Sequence, residues 1–197
     1  MSLASRPGRR AVACVLTMLS TLSAGQPVTA GQNPIKRLFG DKDTRYQIFK
    51  DPAGRFEIEY PSKDWRLLPG AESSLAVFAH NDGPTLFVDH VRLVDSLTPA
   101  EIELLPDHEV DRLKQREPQA KLTSVMLESK AGHGVLITYS RVGTGPESVA
   151  QYSIAIGQDL YRLNGIVPEK LLAKYEPIIK HMIQSFKVPA NPASAKN

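Results

Sequence analysis

The feature that most constrains this chain is a series of short apolar runs separated by only a few turn-forming residues. Phe56, Ile58 and Tyr60 alternate with Glu57 and Glu59, and Asp51-Pro52-Ala53-Gly54 separates them from Tyr46-Gln47-Ile48-Phe49. Alternation of this kind marks a strand with one buried face, and the Pro/Gly tetrapeptide marks a turn. The pattern returns for Leu75 to His80 and Thr85 to Leu93 across Asn81-Asp82-Gly83-Pro84, and for Leu122 to Ser129 and Val135 to Val142 across Ala131-Gly132-His133-Gly134. It returns again for Val149 to Ile156 and Leu160 to Val167 across Gly157-Gln158-Asp159. Gly143-Thr144-Gly145-Pro146-Glu147 reads as a hairpin loop between two of these runs. Connections this short admit only antiparallel pairing, because a parallel crossover needs a dozen or more residues.

Two helical patterns interrupt the strands. Thr98-Pro99-Ala100-Glu101 combines an N-cap, a first-turn proline and a glutamate three residues after the cap. Pro106 is expected to divide that stretch before a helix from Asp107 to Arg116. Near the end, Leu171, Leu172, Tyr175, Ile178, Ile179, Met182, Ile183 and Phe186 recur at helical spacing, with a kink or restart expected near Tyr175-Glu176 because of Pro177. Such a stripe must lie on an apolar surface, so the expected class is α+β, with helices packed on the faces of an antiparallel sheet. A hydrophobic content of 42% and mean hydropathy of −0.23 over 197 residues fit one ordinary domain with a buried core.

Residues 1–30 read as a secretory signal: a basic start through Arg9-Arg10, an apolar run from Ala11 to Leu22, then small residues through Ala30. Val28 and Ala30 satisfy the small-residue rule, which places cleavage after Ala30. The run of about 12 apolar residues would reach only about 18 Å as a helix, against a hydrocarbon core of about 30 Å, so it is too short for a spanning anchor. Cys14, the only cysteine, lies within the leader, so the mature chain would form no disulfide. Arg6, Arg9 and Arg10 also carry the whole formal charge of +3. A neutral mature domain argues against nucleic acid as a partner. Residues 31–44 are expected to be a flexible linker, 45–188 the folded domain and 189–197 a disordered tail.

Few residues suggest chemistry. His80, Asp89 and His90 fall on one expected hairpin, where imidazole and carboxylate could hold a divalent cation such as Ca²⁺, Mn²⁺ or Zn²⁺. Asp89 and His90 are neighbours in a strand and point to opposite faces, so only one of them can join His80. Trp65, the only tryptophan, is either a core anchor or a binding surface at a strand end. Glu101, Glu103, Asp107, Glu109 and Asp111 form an acidic stretch, which helix-dipole effects would explain as structural. No EF-hand loop, phosphate-binding loop or Gly-x-Ser-x-Gly elbow is present.

The segment Phe56-Glu57-Ile58-Glu59-Tyr60-Pro61-Ser62-Lys63-Asp64-Trp65 resembles the opening of PsbP-like domains, a strand ending in proline and followed by tryptophan. Ser185-Phe186-Lys187-Val188, after an amphipathic helix, resembles their closing Ser-Phe-x-Val. The order of elements between the two agrees as well, so the resemblance covers about residues 45–188. It implies an α-β-α sandwich with a central antiparallel sheet. It also implies an exported bacterial member that is not an enzyme, a binding or assembly module in the periplasm or outside the cell. In the namesake, that module supports the photosystem II oxygen-evolving complex. The expected partner is a protein at the membrane or envelope, approached by a monomer. The alternative is a metal-ion or small-ligand binding protein using His80 and His90.

Overall fold

The structure, a computed structural model, describes residues 44–70 and 74–189, which fall within one compact unit. The expected leader, its cleavage after Ala30, the linker up to residue 43 and the tail beyond Pro189 lie outside the described residues. No helix among the described residues is long and apolar enough to cross a membrane.

Strands β1 (Tyr46–Lys50) and β2 (Glu57–Pro61) form a separate two-stranded hairpin. The remaining strands are β3 (Trp65–Leu68), β4 (Ser74–His80), β5 (Thr85–Arg92), β6 (Thr123–Ser129), β7 (Gly132–Val142), β8 (Pro146–Ile156) and β9 (Asp159–Pro168). They build one seven-stranded sheet in the order β3-β4-β5-β9-β8-β7-β6, antiparallel throughout. All four hairpins expected from the turn signals are present. The pairing of β5 with β9, from Thr85↔Ile166 to Arg92↔Asp159, joins two meanders into one sheet. Because β6 lies at the far edge, the chain must cross a sheet face between β5 and β6, and helix α1 (Pro99–Arg116) makes that crossing.

Alternation along each strand splits the core in two. On one face Phe78, Leu86, Tyr152, Tyr161 and Leu163 pack with helix α2 (Leu172–Ser185) and with Phe56 and Ile58 of the hairpin. On the other, Val135, Ile137, Val149 and Leu160 pack with Leu105 and Leu113 of α1. The result is the expected α+β sandwich around an antiparallel sheet.

Helix α1 begins with a complete capping box: Thr98 Oγ1 accepts from the Glu101 amide, and the Glu101 carboxylate accepts from the Thr98 amide at 2.8 Å. The division expected at Pro106 and the restart expected near Tyr175-Glu176 are corrected. Helix α1 runs continuously through Pro106, and α2 runs from Leu172 without a break at Pro177, preceded by a 3-10 turn at Glu169–Leu171. Proline removes the donor that would have reached the carbonyl four residues earlier, here Ile102 and Ala173. Both residues are exposed, so water can satisfy those carbonyls. The third turn also moves: Ser129 pairs with Gly132, so Lys130-Ala131 makes the connection and Gly134 lies inside β7. A Cβ at Gly134 would stand 2.6 Å from both the Tyr152 ring and the Ser153 carbonyl. That glycine serves close approach, not a turn.

Glu109 of α1 is 3% exposed and reaches the sheet. Its carboxylate accepts from Arg162 at 2.8 Å, Arg112 at 2.9 Å, Gln151 at 2.8 Å and Ser153 at 3.0 Å. Burial alone would raise its pKa, but the Arg162 and Arg112 guanidiniums outweigh that and hold it at about 2. The rest of the acidic stretch does different work, Glu101 in the cap and Asp111 in a surface pair with Lys114 at 3.6 Å.

Two predictions follow from this packing. A methyl at Gly165 would run into Ile179 Cγ2, so Gly165→Ala should destabilise by about 1–3 kcal/mol. In an Ile179→Ala background it should cost distinctly less, which a double-mutant cycle by urea unfolding measures. Glu109→Gln should cost about 3 kcal/mol near neutral pH, because two guanidiniums lose their shared anion. The native carboxyl titrates below its ordinary 4.5. Its contribution is therefore complete above that value and is lost as pH falls from about 4.5 towards 2. Stability-against-pH curves should lose that slope in the variant.

Candidate functional site

Two residues that the sequence suggested separately meet at one end of the sheet. Trp65 opens β3 and pairs in register with His80, the last residue of β4, so both side chains rise on the α2 face. Tyr175, from the first turn of α2, completes the group. The Trp65 and His80 rings lie edge-on with centroids 5.5 Å apart, and His80 and Tyr175 lie 4.8 Å apart. Trp65 is 7% exposed, so it is part of a floor and not a free platform.

Backbone geometry holds this corner. Asp64, just before Trp65, has φ 62°, a left-handed conformation that aspartate tolerates better than most residues. Its carbonyl accepts from the Asn81 amide at 3.2 Å, tying the β2–β3 turn to the β4–β5 turn. In the latter turn, Gly83 supplies a φ of 114°.

The polar atoms of His80, Asp82, Lys174 and Tyr175 contact one another. The Asp82 amide donates to His80 Nδ1 at 2.9 Å, which makes Nδ1 an acceptor and leaves the proton of a neutral ring on Nε2. The Tyr175 hydroxyl donates to Asp82 Oδ2 at 2.7 Å and lies 3.2 Å from His80 Nδ1 and 3.3 Å from Nε2. Lys174 Nζ stands 3.6 Å from the same carboxylate and 4.6 Å above the Tyr175 ring. The Tyr175 hydrogen bond is the main cause that lowers the Asp82 pKa, and burial pushes the Tyr175 phenol up. The phenol therefore stays protonated at neutral pH and acts as a donor.

Beside His80 and Tyr175 opens a cavity of about 460 Å³, also lined by Arg45, Lys63, Asp64, Lys174 and Ile178, with Trp65 packed behind the two rings and not in its wall. A wall of two packed rings and a rim of mixed charge suits recognition of a surface or small ligand. Neither Tyr175 nor Asp82 was suggested by the sequence. Tyr175 was legible only as part of the apolar stripe, and Asp82 only as a turn residue.

His90 does not join this site, which corrects the expected His80/His90 ion site. Both histidines are on the α2 face, but His80 lies opposite Pro84, six positions from His90 along β5, or about 20 Å at the rise of a strand. His90 instead bonds Asp159 at 2.8 Å and packs on Tyr161. Among the described residues no three His, Cys, Asp or Glu side chains gather as metal ligands.

Tyr175→Phe should raise the pKa of Asp82, since the variant removes the strongest bond to its ionised form. A carboxyl carbon NMR titration of Asp82 in both proteins reads the shift.

No protein-family model and no curated protein matches the sequence. Several solved structures match the fold. Cyanobacterial PsbP (CyanoP) of Synechocystis sp. PCC 6803 is 15% identical with a TM-score of 0.58, covering 83% of this chain and 98% of that one. LpqN of Mycobacterium tuberculosis, described as involved in cell envelope biogenesis, is 18% identical with a TM-score of 0.54, over 75% of this chain and 93% of that one. The Ran-binding protein Mog1p of Saccharomyces cerevisiae is 13% identical with a TM-score of 0.51, over 74% and 96%. The chain spans about half of a longer Bacteroides thetaiotaomicron chain, 49%, at a TM-score of 0.50. At these identities the likeness is one of fold, and the fold is PsbP/Mog1-like, in agreement with the resemblance carried by residues 56–65 and 185–188.

Proposed function

We propose that this chain is an exported PsbP-like binding module that holds a protein partner at a membrane or envelope complex and catalyses no reaction itself. The cavity lined by His80 and Tyr175 carries the reading: the two rings pack on each other with Trp65 behind them, Tyr175 is tied to Asp82, and the charged rim of Arg45, Lys63, Asp64 and Lys174 is open to solvent. The descriptions of the fold neighbours, a PsbP, an envelope-biogenesis protein and a Ran-binding protein, support a binding or assembly role. The signal-like residues 1–30 support export to the periplasm or beyond. A small ligand in the same cavity is the alternative. A divalent ion at this corner would find His80 Nδ1 and Asp82 Oδ2, 3.8 Å apart, and would need further ligands from a partner.

The test is crosslinking and affinity recovery of the tagged full-length chain from fractionated cells of its own source, with mass spectrometry of partners and of the N-terminus. The expected outcome is a reproducible envelope partner and an N-terminus at Gly31. Recovery should fall about tenfold in Lys63→Glu/Lys174→Glu, the equivalent of roughly 1.4 kcal/mol at the rim. Recovery of the free chain alone, or capture indifferent to those substitutions, would overturn the reading.

A further inference from the structure

A second cavity, of about 280 Å³, opens on the opposite face, between the C-terminal half of α1 and strands β5, β9, β8 and β7. Four arginines line it: Arg112 and Arg116 from α1, Arg141 from β7 and Arg162 from β9. Guanidiniums repel one another, so gathering four around a small space requires anions between them. The protein supplies only part of that charge. Glu109 is shared by Arg112 and Arg162, and Glu147 pairs with Arg141 through Nε at 3.0 Å, which leaves the two terminal nitrogens of Arg141 free of that bond. Arg116, exposed at the mouth, makes no ion pair among the described residues. Asp89 faces the cavity from the β5 side, but its carboxylate is held by neutral donors, Ser74 Oγ at 2.5 Å and Asn164 Nδ2 at 2.8 Å.

The guanidinium groups without an ion-pair contact among the described residues, Arg116 and the terminal nitrogens of Arg141, therefore lie at the α1–β7 end, where Glu147 and Glu117 are the nearby carboxylates. Tyr139 lines the cavity between those arginines and is 8% exposed. Its hydroxyl makes no hydrogen bond among the described residues. Burial, helped by the Glu117 carboxylate, pushes this phenol up despite the nearby guanidiniums of Arg141, Arg116 and Arg112, so it keeps its proton and is an unused donor.

We propose that this cavity binds a small organic oxyanion, its carboxylate or phosphate held between Arg116 and Arg141 with the Tyr139 hydroxyl as third donor. Arginine forks match the geometry of either oxyanion. The Asp89 carboxylate repels such a group from the β5 end and so sets its position. The cavity has room for about nine waters at roughly 30 Å³ each, enough for an oxyanion and a few attached carbons. The site is separate from the cavity lined by His80 and Tyr175, so either can fail without the other.

The probes are inorganic phosphate and succinate, added to the full-length chain against chloride at matched ionic strength, with thermal unfolding as the readout. At about tenfold excess over Kd, at least one should raise Tm by about 3 °C over chloride. The better probe tells phosphate from carboxylate. Arg116→Gln/Arg141→Gln should abolish the anion-dependent rise, whatever its own Tm, while Lys114→Gln on the outer face of α1 should retain it. No rise with either probe up to about 20 mM, or a rise that survives the double substitution, would overturn the proposal.

Discussion

The buried carboxylate of Glu109 organises the α1 side of this protein. A lone carboxylate at that depth would be costly enough to take up a proton, and the arrangement stands because Arg112 and Arg162 approach it from a helix and a strand, with Gln151 and Ser153 completing its shell. Leu105 and Leu113 supply the apolar contact of α1, but apolar contact has no direction. The charge network does: it places one turn of the helix over β8 and β9. It also turns two guanidiniums towards the cavity beside it, so the α1 crossing and the chemistry of that face have one cause.

The α2 side is held differently. Ser185 Oγ accepts from the Glu59 amide at 2.9 Å, Phe186 packs on Phe56 and Tyr161, and Lys187 exchanges backbone bonds with Glu57. The opening and closing motifs of the resemblance, far apart in the chain, are therefore the two sides of one contact. That contact ties the start of β2 to the C-terminal end of α2, while Trp65 of β3 and Tyr175 at the other end of α2 meet His80.

Much of this was legible beforehand, for reasons specific to each element. The four hairpins were legible because each needs only neighbouring residues, alternation and a turn. Helix α1 was legible at its start because a capping box is a contact within four residues. The prolines misled because their effect depends on whether the orphaned carbonyl meets water, and exposure is not a local property. Gly134 misled because its neighbour is Tyr152, a strand away. His80 and His90 looked like partners because they share a hairpin and a face, but a sheet extends along its strands as well as across them. Glu109 was hidden inside an acidic run whose members do unrelated work.

By itself, the sequence determined the antiparallel class, the four hairpins with three of their turns, and the helix faces, because propensity, alternation and short loops act over a few residues. Tertiary structure decided the β5–β9 pairing, the placement of β6 at the far edge and the grouping of Trp65, His80, Asp82 and Tyr175. It also decided which carboxylate of the acidic stretch is buried. Those outcomes depend on burying two apolar faces at once while pairing every polar atom enclosed with them. That requirement is set by residues distant in the chain, and no local pattern encodes it.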